Sequence, residues 1–174
     1  PVSNQLQTLR LLFFGILSVL VTHVAFAQNA VAQNAVASIE VVTVQDLQTR
    51  IERPSDTTYV VNLWATWCKP CVAELPYFER LSKEQSYSPV KVLLVSVDAK
   101  KDRETKLEPF IAKRGFTAEV LQLWPVAIDD IDSSWSGAIP ATLIVKGLRK
   151  SFFEKEFTFD ELKLTVEKFI GSEK

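Results

Sequence analysis

The sequence predicts a three-layer α/β/α sandwich that begins near residue 39, and three observations lead to this fold class. An apolar strand, a pair of cysteines and an amphipathic helix follow one another within residues 58–81. A second apolar segment, residues 90–98, is typical of a strand in a parallel sheet that is covered on both faces. The chain then ends in a hairpin and a closing helix. Alternating strands and helices of this kind favour helices packed on both sides of one sheet.

The first elements follow from spacing and from residue type. Residues 43–51 have helical spacing with Thr43 as N-cap, and Pro54 breaks the pattern. The run TYVVNLW, residues 58–64, is rich in β-branched and aromatic residues and predicts a buried strand. From Cys68 the pattern turns helical, because apolar residues recur at three-residue steps: Val72, Leu75, Phe78 and Leu81.

The later elements are predicted in the same way. A strand at 90–98 leads into a charged loop, AKKDRE, and a short helix at 107–114 follows. Residues 116–137 give no readable pattern. The runs ATLIV and RKSFFE predict a hairpin that turns at Lys146 and Gly147. The closing helix opens with a Thr158 capping box and should bury five apolar residues: Leu162, Leu164, Val166, Phe169 and Ile170.

The first 27 residues differ in composition from the rest of the chain. Arg10 is their one charged residue, and the apolar run 11–21 and the sequence AFA follow it. This pattern predicts a secretory signal peptide, with an uncleaved membrane anchor as the alternative. The tandem repeat QNAVAQNAVA then predicts a flexible spacer. The expected organisation is therefore a signal peptide or anchor at 1–27, a spacer at 28–38 and one folded domain at 39–174. The expected location is the periplasm or the outer face of the membrane, where the N-terminal segment could act as an anchor.

Composition excludes one large class of function. The formal net charge is -1, so no basic surface for nucleic acid is expected. Both cysteines of the chain, Cys68 and Cys71, are separated by only two residues. A disulfide that closes so short a loop stabilises little, which argues against a purely structural pair. Zinc would need further Cys or His ligands, and the one histidine is His23 in the export segment, so we expect no metal.

Redox chemistry explains the cysteine pair better than these alternatives. Cys68 lies where a helix begins, and the free N–H groups and positive dipole of that helix end stabilise a thiolate. Cys68 is therefore the expected nucleophile, with Lys69 adding a modest positive field. Cys71 lies about one turn later on the same face, so it can attack a mixed disulfide at Cys68. Pro70 stiffens the loop between the two sulfurs.

Two segments identify a known family. The segment NLWATWCKPCVAELP, residues 62–76, resembles the active-site segment of the thioredoxin superfamily. The likeness is to exported TlpA/ResA-like thiol-disulfide oxidoreductases, a group that includes the cytochrome c maturation reductants. The segment GAIPATLIV, residues 137–145, resembles the second signature of that family. The resemblance implies a thioredoxin-like fold over about residues 39–170.

The resemblance also implies roles for individual residues. Pro140 would be a cis-proline that faces the cysteines, and the Ile139 backbone would pair with a bound substrate strand. Trp67 would border the substrate groove, although core packing is an equal alternative. Asn62 takes the place of a buried thioredoxin aspartate. Glu74 would accept the proton of Cys71, and the alternative is an ordinary solvated helix residue.

The expected function is an exported oxidoreductase that reduces disulfides in partner proteins. An oxidase or isomerase of the same fold, or a redox-inert metal-delivery or binding module, are the alternatives. Besides the Cys68–Cys71 disulfide no cofactor is expected. The expected partners are proteins with disulfides or thiols, and a membrane thiol reductant as electron donor. We expect no nucleic-acid partner, and we expect a monomer.

Overall fold

A six-stranded mixed sheet forms the centre of the fold. The computed structural model of the protein describes residues 39–84 and 89–172. The strands are β1 (Glu40–Val42), β2 (Thr58–Trp64), β3 (Val90–Ser96), β4 (Glu119–Leu123), β5 (Ala141–Lys146) and β6 (Arg149–Phe153). They lie in the order β1-β4-β3-β2-β5-β6. The first four in this order are parallel neighbours, and β5 pairs antiparallel with both β2 and β6.

Helices cover both faces of the sheet. They are α1 (Val44–Ile51), α2 (Lys69–Lys83), α3 (Glu108–Arg114), α4 (Ile128–Ile131) and α5 (Phe159–Gly171). One core contains the buried faces of α2 and α5, and the other contains those of α1 and α4. Since each face of the sheet has its own core, the predicted three-layer α/β/α sandwich with a thioredoxin-like fold is confirmed.

The topology brings three chain segments to one edge of the sheet. The central strand β2 ends at Trp64 and leads through a short loop into α2. Its parallel neighbour β3 ends beside it, because Trp64 is paired with Ser96. Strand β5 runs in the opposite direction and therefore begins at this edge, where Ala141 pairs with Leu63. The cysteine loop and the segment before β5 consequently meet.

Most predicted elements are present at the predicted positions. Strand β2 has the expected bounds, α2 begins directly after Cys68, and Thr158 caps α5 through a capping box. The predicted burial of Leu164 is wrong, since its side chain is 50% exposed. Each helical residue turns the chain by about 100°, so Leu164 lies on the opposite side from the buried Leu162.

One further expectation is wrong, and one segment for which the sequence predicted no element contains two. The charged segment predicted as a loop contains a 3-10 turn at Lys100–Asp102 and a π turn at Arg103–Leu107, which lead into α3. The unreadable segment 116–137 contains β4 and α4. Strand β4 lies between β1 and β3, so it forms through pairing with strands that are distant in sequence.

The residues from Ile39 onward form a compact unit of their own. The predicted export segment and spacer, residues 1–38, lie outside the described residues, so the predicted domain organisation stays a prediction. Among residues 39–84 and 89–172, no helix has both the length and the apolar character that crossing a membrane requires.

Candidate active site

The two cysteines form a disulfide at the start of α2, with their Cα atoms 5.3 Å apart. Cys68 is the N-cap of this helix, and its Sγ accepts a hydrogen bond from the backbone N–H of Cys71 at 3.3 Å. Pro70 lies in the first turn, where an N–H would have no partner within the helix. After reduction, a thiolate at Cys68 would lie at the positive end of the helix dipole, which favours its ionisation.

The surroundings of the disulfide distinguish the two sulfurs. Cys68 is 6% exposed and Cys71 is 0% exposed. Next to Cys68, the Trp67 side chain is 64% exposed, and Lys69 and Pro70 are exposed as well. The alternative that Trp67 packs in the core is therefore wrong. Cys68 is therefore the cysteine that keeps some exposure and lies next to exposed residues, whereas Cys71 is fully enclosed.

The Ile139–Pro140 segment faces the disulfide. The peptide bond between these residues is cis, as the resemblance implies. The carbonyl oxygen of Ile139 lies 3.7 Å from Cys68 Sγ. Pro140 is buried and has no N–H to present to the sulfurs. Two residues earlier, Gly137 has a φ of 92°, a left-handed conformation that favours glycine.

Side chains that the sequence analysis did not single out hold this segment in place. Trp135 Nε1–H donates to the carbonyl oxygen of Ala138 at 2.7 Å. Ser136 donates its backbone N–H, at 2.9 Å, and its hydroxyl to the carboxylate of Glu154. Together these bonds fix the backbone that presents Ile139 to Cys68. The tryptophan three residues before Ala138 gives no sequence signal of this contact.

Glu74 is fully buried one turn of α2 beyond Cys71. Its Oε1 accepts a hydrogen bond from Asn62 Nδ2, and its Oε2 accepts one from the Phe157 backbone N–H, both at 2.8 Å. Burial raises the pKa of Glu74 to about 7, although these two hydrogen bonds oppose the rise, and the charge of Glu156 adds to it. The alternative of a solvated helix residue is therefore wrong. The side chain can exchange a proton near neutral pH.

Asp98 is a second buried carboxylate at the site, and in the sequence it is recognisable only as the last residue of a predicted strand. Its side chain accepts bonds from the Thr66 N–H (3.0 Å), the Thr66 hydroxyl (2.7 Å) and the Ser96 hydroxyl (2.7 Å). Thr66 lies two residues before Cys68, so Asp98 fastens the loop that carries the nucleophile to the end of β3. An aspartate directly after a buried strand was the available signal.

The structure therefore brings the predicted site residues together. Cys68 is bonded to Cys71 and contacts the Ile139 carbonyl oxygen, and Pro140 follows Ile139. The exposed residues Trp67, Lys69 and Pro70 lie next to Cys68 in the chain. Glu74 is buried three residues after Cys71 on the same helix. In the described ranges, 39–84 and 89–172, three or more His, Cys, Asp or Glu residues are nowhere grouped as a metal ion would require.

The sheet topology and the disulfide at the start of α2 define a thioredoxin-like thiol-disulfide oxidoreductase. The chain belongs to the AhpC/TSA family, whose sequence profile matches residues 31–146. It is 29% identical over 133 residues to the thiol-disulfide oxidoreductase ResA of Geobacillus thermodenitrificans, a match that covers 71% of each chain.

Two further comparisons agree with this assignment. ResA of Oceanobacillus iheyensis is 30% identical over 105 residues, which cover 59% of this chain and about half, 52%, of that protein. The crystal structure of a thiol:disulfide interchange protein from Chlorobium tepidum TLS matches with a TM-score of 0.58 at 18% identity, over 71% of this chain and 85% of that one. At that identity, the structural likeness concerns the fold.

Proposed function

We propose that this protein is an exported reductant of disulfides in partner proteins, and that it works through Cys68 and Cys71. The observation that carries the proposal is the disulfide at the N-terminus of α2, in which Cys68 is 6% exposed beside the exposed Trp67 and Cys71 is fully enclosed. Thiol-disulfide exchange needs an accessible nucleophile and a second thiol within reach of it. This arrangement meets both requirements.

In the first step, the Cys68 thiolate attacks one sulfur of a substrate disulfide. The substrate S–S bond breaks, a mixed disulfide forms at Cys68, and the other substrate sulfur leaves as a thiolate that takes a proton from water. The N–H of Cys71, which donates to Cys68 Sγ, and the helix dipole stabilise the attacking thiolate.

In the second step, Cys71 resolves the mixed disulfide. The Cys71 thiol gives its proton to the Glu74 carboxylate, and the resulting thiolate attacks Cys68 Sγ. The Cys68–Cys71 disulfide forms, and the second substrate sulfur leaves and is protonated. Two electrons pass from the cysteine pair to the substrate. A pKa of about 7 suits Glu74 to this exchange near neutral pH.

Residues around Cys68 form the proposed substrate groove. The Ile139 carbonyl, 3.7 Å from Cys68 Sγ, is placed to accept a backbone hydrogen bond from an extended substrate segment. Pro140 keeps a competing N–H donor away from the sulfurs. The exposed Trp67, with Lys69 and Pro70 beside it, offers surface against which the substrate chain can pack.

The buried carboxyl of Glu74 supports electron flow from the cysteine pair to the substrate. A negative charge at Glu74 opposes a thiolate at the neighbouring Cys71, so it destabilises the reduced, ionised pair relative to the disulfide. A pair whose reduced form is less stable has a lower reduction potential and gives up electrons more readily. The electrons would come from a membrane thiol reductant of the same compartment.

The proposed location rests on the N-terminal sequence, and the proposed partners rest on that location and on the family resemblance. Arg10, the apolar run after it and the AFA sequence at 25–27 support export to the periplasm or to the outer face of the membrane. The substrates would be exported proteins with disulfides, and the TlpA/ResA resemblance favours apocytochromes in cytochrome c maturation. We propose that the protein acts as a monomer without any cofactor beyond its own disulfide.

The test is the equilibrium between the cysteine pair and glutathione, measured by trapping free thiols at a series of glutathione ratios. The cysteine pair of a reductant has a low reduction potential. It would therefore stay oxidised until the glutathione buffer is far more reducing than a typical oxidising compartment. The same preparation should reduce a protein disulfide in repeated turnovers when a dithiol is supplied. A pair that is reduced at mild glutathione ratios would point instead to an oxidase or isomerase.

A further inference from the structure

Asn62 has an unusual position beside the buried carboxyl. It lies on β2, is fully buried, and donates its Nδ2–H to Glu74 Oε1 at 2.8 Å. Its other polar atom, Oδ1, is also buried and has no hydrogen-bond partner within the part of the chain that the structure describes. Buried acceptors are nearly always satisfied, so an unpaired one calls for an explanation. It suggests that Oδ1 is used in another protonation state of the site.

The contacts of Glu74 indicate which oxygen takes the proton. Oε2 accepts the backbone N–H of Phe157 at 2.8 Å, and a backbone N–H can only donate. The carbonyl oxygen of a carboxylic acid is a stronger acceptor than its hydroxyl oxygen, so the fixed Phe157 N–H favours Oε2 as the carbonyl oxygen and Oε1 as the oxygen that carries the proton. A protonated Oε1 would then point an O–H at the Asn62 N–H, so that two donors face each other.

A half-turn of the Asn62 amide removes this conflict. The oxygen and the nitrogen of a primary amide exchange places when the group rotates, and the side chain keeps its shape. The rotation would bring the unpaired Oδ1 to the position from which Nδ2 now donates. Asn62 Oδ1 would then accept a hydrogen bond from the protonated Oε1 of Glu74, in place of the bond that Nδ2 donates to the carboxylate.

We propose that Asn62 is a positioning residue that holds the transferred proton on Glu74 Oε1 by turning its amide from donor to acceptor. The inference rests on the role proposed above for Glu74 as acceptor of the Cys71 proton. It adds that the site carries its own adjustable partner for both protonation states. A buried aspartate at position 62 could not serve in this way, since an ionised carboxylate only accepts.

The influence of other charged groups on the titration of Glu74 can be distinguished from that of the Asn62 amide. Glu156 is the charge whose field reaches Glu74, and it raises the pKa of that carboxyl. Lys155, on the same loop, is paired with Glu161 at 3.6 Å. Cys68 and Cys71 do not titrate while they form the disulfide. The oxidised protein therefore allows the titration of Glu74 to be followed without the thiols.

The experiment is an NMR titration of the full oxidised chain, with the Glu74 carboxyl carbon and the Asn62 side-chain amide observed together. Above the Glu74 midpoint, the Asn62 amide protons should show a nuclear Overhauser effect to the Glu74 γ protons. Below the midpoint this effect should disappear, because Oδ1 then faces the carboxyl. An effect that persists unchanged through the titration would overturn the inference, and this measurement needs no variant.

A substitution gives a second, independent readout. Asn62→Leu removes the donor to the carboxylate and should raise the Glu74 midpoint by about one pH unit. The pH profile for resolution of a mixed disulfide should move in the same direction. Thr58→Val is the matched control, because Thr58 is fully buried on the same strand and its hydroxyl also has no hydrogen-bond partner among the described residues. An Asn62→Leu protein that titrates with the wild-type midpoint would overturn the inference.

These outcomes are distinct from failure of the proposed function. The titration uses oxidised protein without substrate, so it does not depend on turnover. A protein that shows the amide rotation but reduces no disulfide would contradict the proposed function alone. A protein that reduces disulfides while its Asn62 amide stays fixed would contradict this inference alone.

Discussion

Cys68 and Cys71 lie in different surroundings although they are bonded to each other. Cys68 caps α2, lies beside the exposed Trp67, and has the Ile139 carbonyl within 3.7 Å of its Sγ. Cys71 is enclosed, with Glu74 one turn further along the same helix. A substrate sulfur can therefore approach Cys68 along the surface, whereas Cys71 can react only with a sulfur already attached at Cys68.

Serine substitutions should separate these two tasks. Cys68→Ser removes the attacking sulfur and should abolish disulfide exchange. Cys71→Ser leaves the attack intact and removes the resolving thiol, so a mixed disulfide with substrate should accumulate. Non-reducing gel electrophoresis and mass spectrometry of the trapped adduct provide the measurement. Equal residual turnover in both variants would contradict this division of labour.

Glu74 should affect the ionisation of the reduced pair. Glu74→Gln removes a negative charge near Cys71, so the pKa of the Cys71 thiol should fall and the resolution step should lose its proton acceptor. Thiolate absorbance, recorded from about pH 5 to about pH 10, measures the first effect. Glu79→Gln is the matched control, because Glu79 is also buried on α2 but bonds to the backbone at Thr117 and Ala118. If the Glu74→Gln trace overlays the wild-type trace, the carboxyl does not act on the pair.

Residues directly after the neighbouring strand β3 hold the loop between β2 and α2 in place. The Asp98 carboxylate receives both the backbone N–H and the hydroxyl of Thr66. Val97 N–H also donates to the carbonyl oxygen of Trp64 at 2.8 Å. Residues directly after β3 therefore fix the chain just before Cys68, and the position of the nucleophile depends on two parallel strands.

Thr66→Val tests this connection. The substitution keeps the side-chain shape and the backbone bond but removes the 2.7 Å hydroxyl bond to Asp98. We expect the free energy of unfolding to fall by about 1 kcal/mol, with slower disulfide exchange. Thr49→Val is the control, because its hydroxyl makes a bond of the same 2.7 Å length on an exposed helix surface. Equal losses of stability in both variants, with exchange unchanged, would show that the Asp98 contact does not position the loop.

The sequence predicted those elements whose signals are local. The cysteines, the cap at Thr158 and the strand before Cys68 are all recognisable within a few neighbouring residues. Contacts that join distant segments could not be predicted in this way. Phe157 lies 83 residues from Glu74, and Asp98 lies 32 residues from Thr66. Burial of Glu74 depends on the packing of α5 against α2, and no spacing within α2 reveals it.

At the scale of the whole molecule, the active site depends on the complete sheet. The end of β2, the end of β3 and the start of β5 meet at one edge, and the loop before α5 closes over Glu74. The central position of β2 makes this arrangement rigid, because helices cover both of its faces and strands lie on both sides. Ionisation of Glu74 inside this core must therefore also affect the stability of the fold.

Folding stability should depend on pH through the ionisation of Glu74. The pKa of Glu74 is 4.5 in the unfolded chain and about 7 in the folded protein. Between these pH values the folded state therefore binds more protons than the unfolded state. Folding stability should therefore fall as pH rises from about 4.5 to about 7, by up to about 3 kcal/mol, and then level off.

Glu74→Gln should remove this fall, so the variant gains stability relative to the wild type between pH 5 and pH 8. Urea unfolding of the oxidised proteins at pH 5 and at pH 8 measures this difference in stability. Because the cysteines are oxidised, no thiol contributes to it. Glu119 and Asp132 do not interfere, since their pKa values are lowered and their contributions are lost only in more acidic solution. Glu79→Gln should keep the wild-type fall whatever its absolute stability. If the wild type and Glu74→Gln change in parallel over this range, Glu74 is already ionised in the folded protein at pH 5 and cannot serve as a proton carrier near neutrality.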